Sequence, residues 1–189
     1  MSKTIEMIKT YVPFNEQEEK DKQFFIDCER IEQILTRENE RCHLTSSAFI
    51  INKAHNKVLC TYHNIYNSWT WTGGHADGDD DMLYVAKKEI GEETSLKHFI
   101  SLLNHPISIE SLPVKGHVKR GKYVPAHIHL NVTYLFEADE HEQTKIKADE
   151  NSNVAWLTFD ELITKSTEPY MISVYKKIIE RMKVLKIIK

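Results

Sequence analysis

Residues 74–96 read GHADGDDDMLYVAKKEIGEETSL. The acidic run Asp77-Gly78-Asp79-Asp80-Asp81 ends where Leu83, Ala86 and Ile90 begin to recur at helical spacing, which predicts a helix from about Asp81 to Thr94 with an acidic first turn. Glu89, Glu92 and Glu93 stand at i, i+3 and i+4, so they share an arc of roughly 100° on one helical face. Three like charges crowded in this way require either full solvation or a compensating cation. The apolar stripe adjoins this face, which sets the carboxylates at the rim of a buried surface and favours a lined site over a wet one. Hard oxygen ligands of this kind suit Mg²⁺ or Mn²⁺, which bridge protein carboxylates to substrate phosphates.

Outward from this segment, short apolar runs alternate with turns. Ala48–Ile51 and Val58–Tyr62, divided by His55-Asn56-Lys57, predict a β-hairpin, and Trp69–Thr72 a strand running into Gly73-Gly74. Downstream, Ile107–Val118 and Val124–Phe136 read as strands around the basic turn Lys119-Arg120-Gly121-Lys122. The loop Ala148–Asn153 leads into a strand at Val154–Leu157 and a short helix from Phe159. Helices flank this region: Asn15 to about Leu35, with Asn15 and Glu18 in capping-box positions, and Pro169 to Lys189. Strands interleaved with helices define a mixed α/β class.

Gly74-x5-Asp80-x7-Lys88-Glu89-Ile90-x-Glu92-Glu93-x-Ser95-Leu96 resembles the Nudix box, G-x5-E-x7-R-E-U-x-E-E-x-G-U, where U is a bulky aliphatic residue. The resemblance implies a Nudix-like α/β/α sandwich with a mixed sheet at residues 45–165, an N-terminal helical extension at 1–44 and a C-terminal helix at 166–189 packed on the domain. It implies hydrolysis of a pyrophosphate bond in a nucleoside diphosphate derivative or similar small phosphorylated metabolite. Glu89, Glu92, Glu93 and the Gly74 carbonyl would hold Mg²⁺ or Mn²⁺, and Glu93 or Glu150 would serve as general base. Three positions depart from the pattern. Asp80 is one methylene shorter than Glu and reaches a metal only indirectly. Lys88 keeps the charge that pairs with Glu92 but lacks the planar guanidinium fork. Ser95 stands where glycine tolerates positive φ. These departures keep open a second reading, a ligand-binding or regulatory module of the same fold without turnover.

Composition agrees with a globular protein: among 189 residues, 41% are apolar and 28% charged, which excludes a disordered chain. The net charge of −3 offers no global field for nucleic acid or an anionic membrane, so neither is expected as a partner. Cys28, Cys42 and Cys60 have no C-x-x-C spacing, and the N-terminus lacks an apolar signal core, which predicts reduced thiols and a cytoplasmic protein. Monomer and homodimer both remain open. Asp77, Asp79 and Asp81 imitate the start of an EF-hand loop, but Met82 and Lys88 occupy its glycine and glutamate positions. Lys119 and Arg120 are candidates to bind a distal phosphate. His127 and His129 share one strand face and are candidates for a substrate pocket, or for a zinc site completed by His75, His117 or Cys60. Trp69, Trp71, Tyr123 and Tyr134 are candidates to stack a base.

Overall fold

The computed structural model describes residues 2–119 and 121–189. Strand β1 (Cys42–Asn52) is buried along its whole length because both of its faces are covered. Leu44, Ala48 and Ile50 enter one core, and Phe49 and Ile51 the other. β1 pairs antiparallel with β2 (Lys57–His63) and with β4 (Thr72–His75), and parallel with β9 (His127–Ala138), from Cys42↔Ile128 to Asn52↔Ala138. β10 (Asn151–Thr158) and β3 (Ser68–Thr70) join β2, while β5 (Phe99–Ser101) and β6 (Ser108–Val114) join the far side of β9. The result is an eight-stranded mixed sheet.

Helices cover both faces. Ile5 and Ile8 of α1 (Lys3–Thr10), Phe25 of α2 (Glu16–Asp27) and Val85, Ala86 and Ile90 of α3 (Met82–Thr94) fill one core. Leu162 of α4 (Phe159–Lys165) and Val174, Tyr175 and Ile178 of α5 (Pro169–Val184) fill the other. This is the expected α/β/α sandwich with helices at both ends. β1 starts at Cys42, three residues before the expected start of the domain.

The helical ends are tied to the edge strand β6 by buried charge. Lys177 of α5 contacts Glu18 of α2 at 3.0 Å and Glu110 of β6 at 3.1 Å, and Arg181 reaches Glu18 at 3.0 Å. Both carboxylates are fully buried, so each needs these partners. Gln17 and Lys177 also donate to the Ile109 carbonyl, and Asp21 accepts the Ser111 N–H, which occupies backbone groups that an edge strand would otherwise expose.

Several elements differ from the sequence expectations. α2 stops at Asp27, because the following chain turns to let the Ile34 and Leu35 carbonyls accept from Leu44 and Gly78 N–H groups. Asn15 caps α2, but the Glu18 carboxylate accepts from Phe14 N–H and the Tyr11 hydroxyl. The first turn of α3 carries no acid; Asp81 is its N-cap and accepts from Tyr84 N–H. α5 ends at Val184. The long hairpin around residues 119–122 is two units: β6 pairs with β9, while β7 (His117–Lys119) and β8 (Lys122–Val124) form a separate two-stranded excursion. Among the described residues no helix is long and apolar enough to cross a membrane.

Candidate active site

α3 lies on β1 and β4, fixed by its apolar face and by Ser46 Oγ donating to the Met82 carbonyl at 2.6 Å. This seats the acidic rim of the helix against Gly73 and Gly74, which are not a turn but the middle of strand β4, paired with Ser47 and Ser46. Glu93 is 5% exposed and its carboxylate has two donors, Gly73 N–H at 3.0 Å and the Thr61 hydroxyl at 3.4 Å. Glu89, also buried, places its carboxylate in the volume that any side chain at position 74 would occupy. The absence of a side chain at 74 is therefore what lets the Glu89 carboxylate approach the strand, and the backbone angle plays no part.

Glu92 points to solvent and meets Lys88 at 3.7 Å and Lys147 at 3.5 Å. Lys147 also pairs with Glu150 at 2.9 Å, in the turn before β10, so Glu92 and Glu150 share one ammonium. Among the described residues, neither Glu89 nor Glu93 has an ion pair. Burial pushes the Glu93 carboxyl up to about 8; the Gly73 N–H works against this, and the Glu89 and Glu150 charges add to it. Glu89 is raised by burial and then by Glu92, against Lys147 and Lys88. Two buried carboxylates that resist ionisation, Glu93 in part through the Glu89 charge, are oxygen donors of the kind that could hold a hard divalent cation. Glu89, Glu92, Glu93, Gly74 and Glu150, separated widely in sequence, thus come together at one end of the sheet.

Asp80 stands apart from this group. Its carboxylate accepts from the Ser2 hydroxyl at 2.7 Å and from the Lys3 and Thr4 N–H groups, and so holds the N-terminus of α1. Burial alone would raise its pKa, but these hydrogen bonds outweigh it and keep the group below the usual carboxylate range. Ser95 adopts φ 61° at the C-cap of α3, the left-handed conformation that glycine would take without strain.

His127 and His129 are gathered with His43 of β1 and His75 of β4, their ring centroids 4.8 to 5.0 Å apart in the five contacting pairs. Burial, followed by the neighbouring imidazoles, depresses His129 to about 2. Cys60 is buried in the α5-side core and His117 lies on the exposed excursion, so neither joins this group. Lys119 ends β7, and Arg120 lies outside the described residues. Trp71 and Tyr134 are core residues, Trp69 packs edge-on against Tyr62, and Tyr123 is exposed.

Sequence reasoning missed three members of this end of the sheet: His43, Lys147 and Thr61. His43 joins only through the parallel pairing His43↔His129, a long-range register with no local signature.

An acidic helix seated on Gly73 and Gly74 of β4, in a mixed sheet with helices on both faces, defines the class as an α/β/α sandwich with a carboxylate-lined site. The model of the NUDIX domain matches residues 42–181, and the chain belongs to this family. Solved structures of similar fold include an Ap4A hydrolase of C. elegans in a binary complex, with TM-score 0.55 and 19% identity over 74% of this chain and 97% of that one. RenU, a Nudix hydrolase of M. smegmatis, aligns with TM-score 0.56 and 12% identity over 75% and 86%. The NUDIX domain of Shewanella oneidensis NrtR, complexed with ADP ribose, aligns with TM-score 0.52 and 16% identity over 74% and 87%. No curated protein matches the chain.

Proposed function

We propose that this chain is a divalent-metal-dependent pyrophosphohydrolase acting on a nucleoside diphosphate derivative or a similar small phosphorylated metabolite. The observation that carries this reading is the pair of buried carboxylates, Glu89 and Glu93, seated on Gly74 and Gly73 with no ion pair among the described residues. Oxygen donors in this density fit Mg²⁺ or Mn²⁺. Glu89, Glu92, Glu93 and the Gly74 carbonyl are the ligands assigned to it. When bound, the cation polarises phosphoryl oxygens and makes water more acidic.

The remaining work falls to side chains. Gly73 N–H and the Thr61 hydroxyl fix the direction of both Glu93 oxygens, which suits a ligand and leaves little freedom for proton transfer. Glu150 is the better general base: half-exposed, on the turn facing α3 and steered by Lys147, it takes the proton from the attacking water. Lys88 and Lys147 hold Glu92 between them. Lys119 and Arg120 are assigned by sequence to the distal phosphate. Ap4A and ADP ribose, named with two of the neighbours, are both phosphoanhydrides of adenosine, and this supports the substrate class. The three free, buried cysteines support the cytoplasm as its compartment.

The test is release of phosphate or monophosphate from a panel of nucleoside diphosphate derivatives with Mg²⁺, for the wild type and for Glu150→Gln. Wild-type turnover, with Glu150→Gln reducing kcat at least about 10²-fold and leaving KM within about threefold, is expected. Full turnover in the variant removes Glu150 from the mechanism. Ligand binding without turnover of any compound makes the protein a binding module.

A further inference from the structure

We propose that His43, His75 and His129 form a second metal site, for a first-row transition ion of the Zn²⁺ class, distinct from the carboxylate site on α3. The three residues come from three strands, yet one nitrogen from each lies within 4.8 Å of the others. The sheet builds this directly: β1 and β9 place His43 opposite His129, and β4 sets His75 opposite Thr45, two residues along from His43. Zn–N bonds of about 2.0 Å in a tetrahedral site put ligand nitrogens about 3.3 Å apart, so closing on an ion brings the three nitrogens together by at most about 1.5 Å.

His43 is the independent pointer to a ligand. The residue is 4% exposed, and its Nδ1 meets the Asn39 carbonyl at 2.9 Å. That contact fixes the tautomer, with Nδ1–H donating and Nε2 carrying the lone pair. Among the described residues Nε2 has no hydrogen-bond partner although it is buried. A buried acceptor left in this state is costly, and a bound cation satisfies it. A ligating histidine anchored through its other nitrogen to a backbone carbonyl is the usual outer-shell arrangement of zinc sites.

His127 is a positioning residue. Its Nδ1 meets the Pro125 carbonyl at 2.8 Å, and its Nε2 meets His129 Nε2 at 3.1 Å, which holds the His129 ring in the group. Burial lowers the pKa of both His43 and His129, and the neutral imidazole that results is the form that binds a metal. An all-imidazole set selects Zn²⁺, Co²⁺ or Ni²⁺ over Mg²⁺, whereas the oxygen set on α3 has the opposite preference. β4 separates the two sites: Gly74 abuts Glu89 on the α3 side, and the next side chain, His75, projects to the opposite face of the strand.

The experiment uses the full chain, stripped with chelator and titrated with Zn²⁺ and Co²⁺ in the presence of excess Mg²⁺. One equivalent bound, the visible bands of tetrahedral Co²⁺, and a nitrogen shell with imidazole scattering in zinc X-ray absorption are expected. His129→Gln and, separately, His75→Ala should each weaken Zn²⁺ binding at least about 10²-fold. His117→Gln should leave it unchanged. The double substitution Glu92→Gln and Glu93→Gln should also leave Co²⁺ binding and its bands unchanged, which separates this site from the carboxylate site. Absence of a bound equivalent, an oxygen-dominated shell in the wild type, or binding lost with the glutamates and kept with the histidine variants overturns the proposal. The absorption measurement needs only wild-type protein, so it decides even where a histidine variant fails to fold.

Discussion

Replacing Gly74 by alanine tests how the site is assembled, because the added methyl meets only the end of one side chain. A Cβ at 74 falls on Glu89 Cδ and both carboxylate oxygens, the farther of them 2.8 Å away. Restoring van der Waals contact moves the carboxylate by about 1 Å, and a misplacement of that size costs on the order of 10² in rate, or about 2.7 kcal/mol. Stability should barely change, since the glutamate is flexible and alanine is no worse than glycine in a strand. Gly73→Ala is the counterpart. There the Cβ meets Ser47 Oγ at 2.5 Å, the Ser46 carbonyl at 2.8 Å and Ser47 Cα at 3.0 Å, and the two backbone atoms cannot swing aside. Overpacking of this kind costs about 1–3 kcal/mol, a loss of several degrees in Tm. The assays are Mn²⁺ binding by electron paramagnetic resonance, turnover with Mg²⁺, and thermal melting. Gly74→Ala should lose metal affinity and rate at nearly constant Tm, and the added change Glu89→Asp, one methylene shorter, should recover part of both. A folded Gly74→Ala protein that binds Mn²⁺ and turns over like wild type would refute the assignment of Glu89 to the site.

Ser95→Gly should stabilise the protein by about 1 kcal/mol, raising Tm by about 2–4 °C, because it relieves a non-glycine residue at φ 61°. Asp80→Ala should cost about 1 kcal/mol through loss of the α1 cap while leaving kcat/KM within about threefold, measured by melting and by turnover. The metal-free protein should lose stability as pH rises from the ordinary carboxyl value of 4.5 toward about 8. In that window the unfolded chain releases the Glu93 proton while the folded chain keeps it, so the folded state binds more protons and its advantage shrinks with pH. Denaturant titrations across this range should show the slope, and Glu93→Gln should flatten it.

The acidic helix and the sandwich class were legible because they are local: three glutamates at helical spacing and alternating apolar runs; the strand expected to end before Gly73-Gly74 instead runs through both glycines to His75, paired with β1. The role of Asp80 was not, since its partners Ser2, Lys3 and Thr4 lie more than 70 positions away. The length of α2 was misread because Ile31, Ile34 and Leu35 keep a helical rhythm while backbone bonds to Leu44 and Gly78 hold Ile34 and Leu35 in another conformation. The fully buried Glu18, placed by sequence in a cap, belongs to an ionic cluster whose members are spread from α2 to α5. Pattern reading locates what a segment does to itself, and it misses what distant segments do to one another.

That ionic cluster has a consequence for how the chain comes apart. A chain shortened to begin at Cys42 would delete Glu18, strip Arg181 of its carboxylate and leave Lys177 facing Glu110 alone inside a core now opened to water. Removing the last helix instead would leave two carboxylates, Glu18 and Glu110, without their cations and held by neutral donors alone. Either end, once loosened, weakens the hold on the other, so α2 and α5 should unfold in a single step with the sheet edge between them. Hydrogen exchange should then show α2, β6 and α5 sharing one opening free energy, although they are about as far apart in sequence as the chain allows.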